Sequence, residues 1–184
     1  TIQECTGRKV LPLYRVPNVH FVYDAIYTNF PVSGAFRGYG AIQGFFAMES
    51  QMDAIAARLD MDPLELRQKN RIRQDDVDHI ARILGDKDER LMLSCGLGEC
   101  IERGAAAIGW NEKRASLGAK NESPPLKNPK KRGVGMACAM QGSGIAGVDW
   151  GSATITLNED GTFALYVGAT DLGTGSDTVL SQIA

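Results

Sequence analysis

Two glycine-rich segments carry the residue types best suited to hold a ligand. They are Gly34-Ala35-Phe36-Arg37-Gly38-Tyr39-Gly40 and Asp171-Leu172-Gly173-Thr174-Gly175-Ser176-Asp177. Glycine lets the backbone approach a bound group closely, and a helix N-terminus offers unpaired N–H groups to an anion. The first segment enters a helical pattern at Ala41, and the second precedes a run that could start a helix. Neither ends in the Gly-Lys-Ser/Thr of a phosphate loop, and neither is G-x-G-x-x-G in a strand–helix setting. On the glycines alone, a tight turn packing a strand on a helix is as open a reading as a ligand cradle. The other chemistry-bearing residues are sparse. Cys5, Cys95, Cys100 and Cys138 form no C-x-x-C pair, and the histidines are His20 and His79. Zinc ligation is not expected, and free thiols in a reducing cytoplasm are. Cys138 is expected to be buried and inert.

The elements that must position these segments follow from periodicity. Leu11 to Phe30 is rich in Val, Ile, Tyr and Phe and broken by Pro12 and Pro17. It reads as strands or extended chain. Ala41 to Leu59 reads as a helix, with Ile42, Phe45, Phe46, Met52, Ile55, Ala56 and Leu59 at helical spacing, Phe45 and Phe46 in the core, and Glu49 among the polar positions. Asp62, Pro63 and Glu65 form a capping pattern that opens a short helix to about Lys69. Residues 71–90 are strongly charged and read as exposed. Ser94 is a candidate cap for a helix to Ile108, with Leu97, Cys100, Ile101, Ala105 and Ile108 on one face. Residues 111–132 are polar and contain Pro124, Pro125 and Pro129, which reads as a linker or domain boundary. Gly133 to Gln141 reads as a small-residue strand. Ala153 to Leu157 and Phe163 to Val167 alternate around Asn158-Glu159-Asp160-Gly161, a β-hairpin signature.

Composition bounds the function. The 184 residues are 43% hydrophobic and 23% charged, with a net charge of −2. A core fits this length, and no window reaches the roughly 20 apolar residues of a membrane span. The basic run Lys127 to Arg132 is short and proline-broken, so a solvated linker is expected there and no nucleic-acid partner. The start, Thr1-Ile2-Gln3-Glu4-Cys5, lacks a signal-peptide pattern.

The longer string Gly34-Ala35-Phe36-Arg37-Gly38-Tyr39-Gly40-Ala41-Ile42-Gln43 resembles a molybdopterin-binding segment of the molybdenum hydroxylases, the xanthine dehydrogenase and aldehyde oxidoreductase family. That family writes A-F-R-G-[FY]-G-[AG]-P-Q, and Ile42 stands where proline is usual. The resemblance continues in order through Met48-Glu49-Ser50, Met52-Asp53, Met61 to Asn70, Lys131 to Met136, Gln141 to Gly144 and the 158–161 turn. It ends at Asp171-Leu172-Gly173-Thr174-Gly175, similar to the family's E-x-G-Q-G, with Thr174 where glutamine is usual.

The resemblance implies an α+β, two-layer helix-on-sheet fold made of parts of two molybdenum-cofactor-binding domains, residues 1–120 and 121–184. It implies that Ala35, Phe36, Arg37, Gly38 and Gly40 from one domain, and Gly173, Thr174 and Gly175 from the other, bind molybdopterin, with no side chain on the metal. Tyr39 is implied to line the substrate channel, against the plainer reading of a semi-buried core aromatic. Arg37 is equally open to pairing with a structural carboxylate. Asp171 and Asp177 are expected to hydrogen-bond backbone amides. The implied activity is hydroxylation of a purine, another N-heterocycle or an aldehyde, with water as the oxygen source. Iron–sulfur clusters and FAD are expected on partner domains or subunits. The family's catalytic glutamate and its G-G-x-F-G loop have no counterpart in this sequence, so the chain reads as an internal fragment, inactive alone. From other classes, a non-catalytic module holding a phosphate group in its glycine loops and an interaction domain without a ligand stay open.

Overall fold

The computed structural model describes residues 2–31, 34, 37–78, 90–122, 132–140 and 150–184. The chain forms two compact units, 1–141 and 142–184.

The first unit is helical. Helix α1 (Ile2–Val10) runs into a 3-10 turn at Leu11–Leu13. Helix α2 is Ala41–Arg58 and α3 is Pro63–Asn70. Helices α4 (Leu97–Ile108) and α5 (Trp110–Glu122) follow. α1 packs on α2, α2 on α3, and α3 on α4. The α1–α2 approach is close because residue 44 is glycine. A Cβ there would sit 2.4 Å from Val10 Cγ2 and 2.6 Å from Thr6 Cγ2.

Helix α3 starts as its sequence dictates. The Asp62 carboxylate accepts the Leu64 N–H at 2.8 Å, and Pro63 occupies the first turn, where no N–H is needed. Glu65 pairs with Lys69 one turn on, at 2.7 Å. The core joins Leu13, Tyr14, Met52, Ala56, Leu66, Ile101 and Cys138.

Several expectations are corrected here. Leu11 to Phe30 forms no strand ladder. Leu11–Leu13 is a 3-10 turn, Tyr14 makes an isolated bridge to Arg71, and 15–31 has no regular structure. Pro12 and Pro17 lack the N–H groups a ladder needs. The buried stripe of α2 is not the expected one. Ala41, Gly44, Glu49, Met52 and Ala56 face inward, whereas Ile42, Phe46 and Leu59 are exposed. Helix α4 begins at Leu97 with Gly96 as its uncapped start, not at Ser94, and Cys100 is exposed.

The expected linker is helical in its first part. Gly109, at φ +61, closes α4, and α5 starts at once with a buried Trp110. The Trp110 indole N–H is 3.2 Å from each Asp62 carboxylate oxygen, which anchors α5 to the start of α3. Pro124, Pro125 and Pro129 lie outside the described residues, as do His79 and Gln141 to Gly144. Residues 132–140 carry no ladder among the described residues, although Val134, Met136, Cys138 and Met140 alternate inward as a strand would.

The second unit holds the expected hairpin. Strands β1 (Ala153–Leu157) and β2 (Phe163–Val167) pair antiparallel, Ala153 opposite Val167 and Leu157 opposite Phe163. Asn158 and Thr162 close the turn, where the Thr162 N–H donates to Asp160 Oδ1 at 3.0 Å. Helix α6 (Ser176–Ile183) follows the second glycine segment. The fold is thus mixed, with helices dominating the first unit.

Candidate functional site

The 37–40 turn sits where α2 begins, and α1 forms its seat. Lys9 Nζ donates to Gly38 O at 2.8 Å and to Tyr39 O at 3.3 Å. Thr6 Oγ1 donates to Gly40 O at 2.8 Å. The Ala41 N–H closes the turn onto Gly38 O at 3.0 Å. Glycine at position 40 is required by contact as well as by conformation. Its φ is +80, and a Cβ there would lie 2.3 Å from Ile2 O. Tyr39 also has positive φ, +39, rare for an aromatic residue. The residue is 41% exposed, and its ring centroid lies 5.9 Å from Lys9 Nζ. Arg37 is exposed. Ala35 and Phe36 lie outside the described residues.

The second glycine segment is built around one carboxylate. Asp171 Oδ1 accepts N–H bonds from Gly173 at 2.7 Å, Thr174 at 3.1 Å and Gly175 at 3.4 Å, and Oδ2 accepts from Asp177 at 3.3 Å. These bonds, the Gly173 one foremost, hold the Asp171 carboxyl below its ordinary pKa. The carboxylate also offsets the positive end of α6. The expected role of Asp171 is met. Gly175, the residue before α6, has φ +76, and a Cβ on it would meet no atom within 4 Å. Conformation alone calls for glycine there, and the surface beside it is open. Thr174 Oγ1 lies 3.3 Å from Ser176 Oγ. Four amides of the segment, those of Gly173, Thr174, Gly175 and Asp177, thus face their own aspartate.

A third cluster has no counterpart in the sequence reading. Glu49, 5% exposed, receives the Tyr14 hydroxyl, the Arg67 Nε–H at 2.8 Å and the Cys138 backbone N–H at 2.8 Å. Arg67, fully buried, also reaches Asp53 at 2.8 Å and the carbonyls of Pro63 and Glu49. Burial alone would lower the Arg67 pKa, but bonds to Glu49 and Asp53 raise it, so the guanidinium stays charged. Burial, then the bond to Glu49, pushes the Tyr14 pKa up, and burial raises that of the Cys138 thiol. Cys138 is buried, as expected. This cluster ties α2, α3, Tyr14 and the 132–140 segment together. Its sequence signal is the spacing of Glu49 on the inward stripe with Phe45, Met52 and Ala56. Thr6 and Lys9 carry no comparable signal. Among the described residues, no group of three His, Cys, Asp or Glu is placed to hold a metal ion. No described helix is long and apolar enough to cross a membrane.

Comparison with known proteins matches both parts of the chain that carry a glycine segment. Residues 1–71 and 103–184 each match a family described as "Molybdopterin cofactor-binding domain". The chain is 37% identical over its whole length to the "putative xanthine dehydrogenase molybdenum-binding subunit" of Escherichia coli, of which it spans 23%. It is 34% identical to the aldehyde oxidoreductase of Megalodesulfovibrio gigas, the match covering 89% of this chain and 16% of that one. The solved aldehyde oxidoreductase from Desulfovibrio gigas superposes with a TM-score of 0.59 at 31% identity, covering 89% of this chain and 16% of that structure. The chain therefore spans less than a quarter of the length of these relatives. Matched in order by cofactor-binding domains across most of its residues, it belongs to the molybdopterin-binding part of the molybdenum hydroxylases, the xanthine dehydrogenase and aldehyde oxidoreductase family.

Proposed function

We propose that this chain works within the molybdenum-cofactor-binding subunit of an oxidoreductase that hydroxylates a purine, another N-heterocycle or an aldehyde with oxygen from water. The observation that carries the reading is the ordered match of two molybdopterin cofactor-binding domains, each spanning one of the glycine segments. In this reading residues 1–120 belong to the first cofactor domain and 121–184 to the second, each layering helices on sheet in the complete subunit.

The residues present suit such a cofactor. In the first turn, three consecutive carbonyls are engaged by α1 and the turn's own helix, which leaves the N–H groups of Tyr39 and Gly40 for the opposite face. In the second, the uncrowded Cα of Gly175 permits close approach, and the Thr174 hydroxyl supplies a polar group. We assign Ala35, Phe36, Arg37, Gly38, Gly40, Gly173, Thr174 and Gly175 to cofactor binding and Tyr39 to the substrate channel, where its exposed ring can stack on a flat substrate. The bound cofactor supplies the oxygen-transfer and two-electron chemistry, and the chain supplies binding, orientation and shelter from water. Electrons leave to iron–sulfur and FAD groups on partner domains or subunits. The base lies elsewhere in the subunit, so this chain alone is inactive. Free thiols at all four cysteines suit a cytoplasmic setting. The alternative phosphate-binding module is disfavoured at the second loop, because Asp171 already fills the amide nest an anion would take.

The test is the full-length protein, assayed for molybdenum and pterin and then with purines, N-heterocycles and aldehydes in ¹⁸O-labelled water. Label in the product is expected. A protein that purifies from a molybdenum-replete host without metal or pterin would refute the reading.

A further inference from the structure

We infer that Lys9, assisted by Thr6, is a positioning residue for the cofactor, a role that rests on the reading above. From α1 it holds the carbonyls of the 38–40 turn so that Tyr39 and Gly40 present their N–H groups on the face away from α1. Three consecutive carbonyls are turned toward this one helix. Lys9 Nζ takes Gly38 O at 2.8 Å and Tyr39 O at 3.3 Å, and Thr6 Oγ1 takes Gly40 O at 2.8 Å. In a trans peptide each N–H points opposite to the carbonyl before it. Fixing the carbonyls of residues 38 and 39 therefore fixes the direction of the N–H groups of 39 and 40.

The turn needs such a hold. Tyr39 sits at φ +39, a sparsely populated conformation that persists only where surroundings over-determine it. Tyr39 is not buried, so burial in a core does not by itself impose that conformation. The lysine does three things at once: it donates two charge-assisted hydrogen bonds to main chain and stands 5.9 Å from the ring centroid. A lysine on an amphipathic helix ordinarily carries its ammonium out to water. This one is half-buried and spends its donors on a loop about thirty residues away in sequence.

The experiment compares Lys9→Met, Lys9→Gln and Lys9→Arg in the full-length holoenzyme. Molybdenum is measured by mass spectrometry and pterin by fluorescence after oxidative release. Thermal midpoints of the apo forms are recorded alongside. Lys9→Met is expected to hold cofactor roughly tenfold less well, about 1.4 kcal/mol. Lys9→Gln, with an uncharged donor, should fall between. Lys9→Arg, which keeps the charge and two or more donors, should restore most of the loading. Reduced loading in a variant whose apo form stays folded supports the inference, and loading that falls only where the apo midpoint collapses overturns it. Wild-type loading in Lys9→Met would overturn the inference, as would an Arg variant as depleted as the Met variant. If Lys9→Met does not fold, Lys9→Gln decides: full loading overturns the inference and partial loading supports it. A wild-type protein without molybdenum and pterin would instead overturn the cofactor reading itself, and this role with it.

Discussion

Replacing Arg67 with methionine removes, among the described residues, the positive charge that pairs with Glu49 in the core. Arg67 is fully buried and Glu49 nearly so, and the guanidinium makes four hydrogen bonds, to Glu49, Asp53, Pro63 and the Glu49 carbonyl. Asp53 is 58% exposed and returns to water at little cost. Glu49 cannot. Among the described residues it keeps the Tyr14 hydroxyl and the Cys138 N–H as donors. Stranding one partner of a buried pair costs about 3–5 kcal/mol. The loss falls on the contact that holds the 132–140 segment, so opening at Cys138 should become a hundredfold to a few thousandfold more frequent. The assay is native-state maleimide labelling of the cysteines, resolved by mass spectrometry. Exposed Cys100 serves as internal control and should label at an unchanged rate. Adding Glu49→Gln to Arg67→Met removes the stranded charge, and Cys138 labelling should fall back by about tenfold or more. If Arg67→Met leaves Cys138 labelling within threefold of wild type, the ion pair does not hold this segment and the reasoning fails.

Two further perturbations address the glycine segments. Gly40→Ala places a Cβ 2.3 Å from Ile2 O at φ +80, so α1 should detach from the turn; amide exchange in residues 2–10 should accelerate, and unchanged protection there would refute the packing argument. Asp171→Ala removes the acceptor of four amides. In wild type the Asp171 carboxyl is depressed below its ordinary value, so its hold on the loop is full above about pH 3.9 and is lost as pH falls through the depressed value. The amide resonances of Gly173 and Thr174 should titrate together in that acid range, and a titration that persists in Asp171→Ala would assign it to another group.

Much of this architecture was readable because local chemistry agreed with tertiary structure. The Asp62–Pro63 start of α3, the Asn158–Gly161 hairpin and the body of α2 are each specified within a few residues. The misses came where the deciding partner is remote. Glu49 reads as a surface residue until Arg67 and Cys138 surround it. Phe46 reads as core, yet it lies off the stripe that Ala41, Gly44, Met52 and Ala56 turn inward. Helix α1 is absent from the sequence reading, and Thr6 and Gly7 at its centre are weak helix formers. Tertiary packing supplies what propensity lacks: Gly44 lets Thr6 and Val10 approach α2, and the Phe21 ring covers Gly7.

That missing helix changes what the first glycine motif means. Gly40 reads in sequence as room for a ligand, but its Cβ space belongs to Ile2 and Thr6, so this glycine seats the turn on α1. Gly175 has the same backbone sign with nothing beside it, so here the space is free. One residue type thus answers two demands, internal contact in the first segment and open surface in the second. The difference bears on how each would meet a cofactor. The first can do so through amides whose direction α1 sets from behind. The second has committed the Gly173, Thr174 and Gly175 amides to Asp171, and the hydroxyls of Thr174 and Ser176 lie beside them. In the proposed reading, threonine in place of the family's usual glutamine shortens the side chain available at the second segment, while the amides of the 37–40 turn are directed by carbonyls that Lys9 and Thr6 hold.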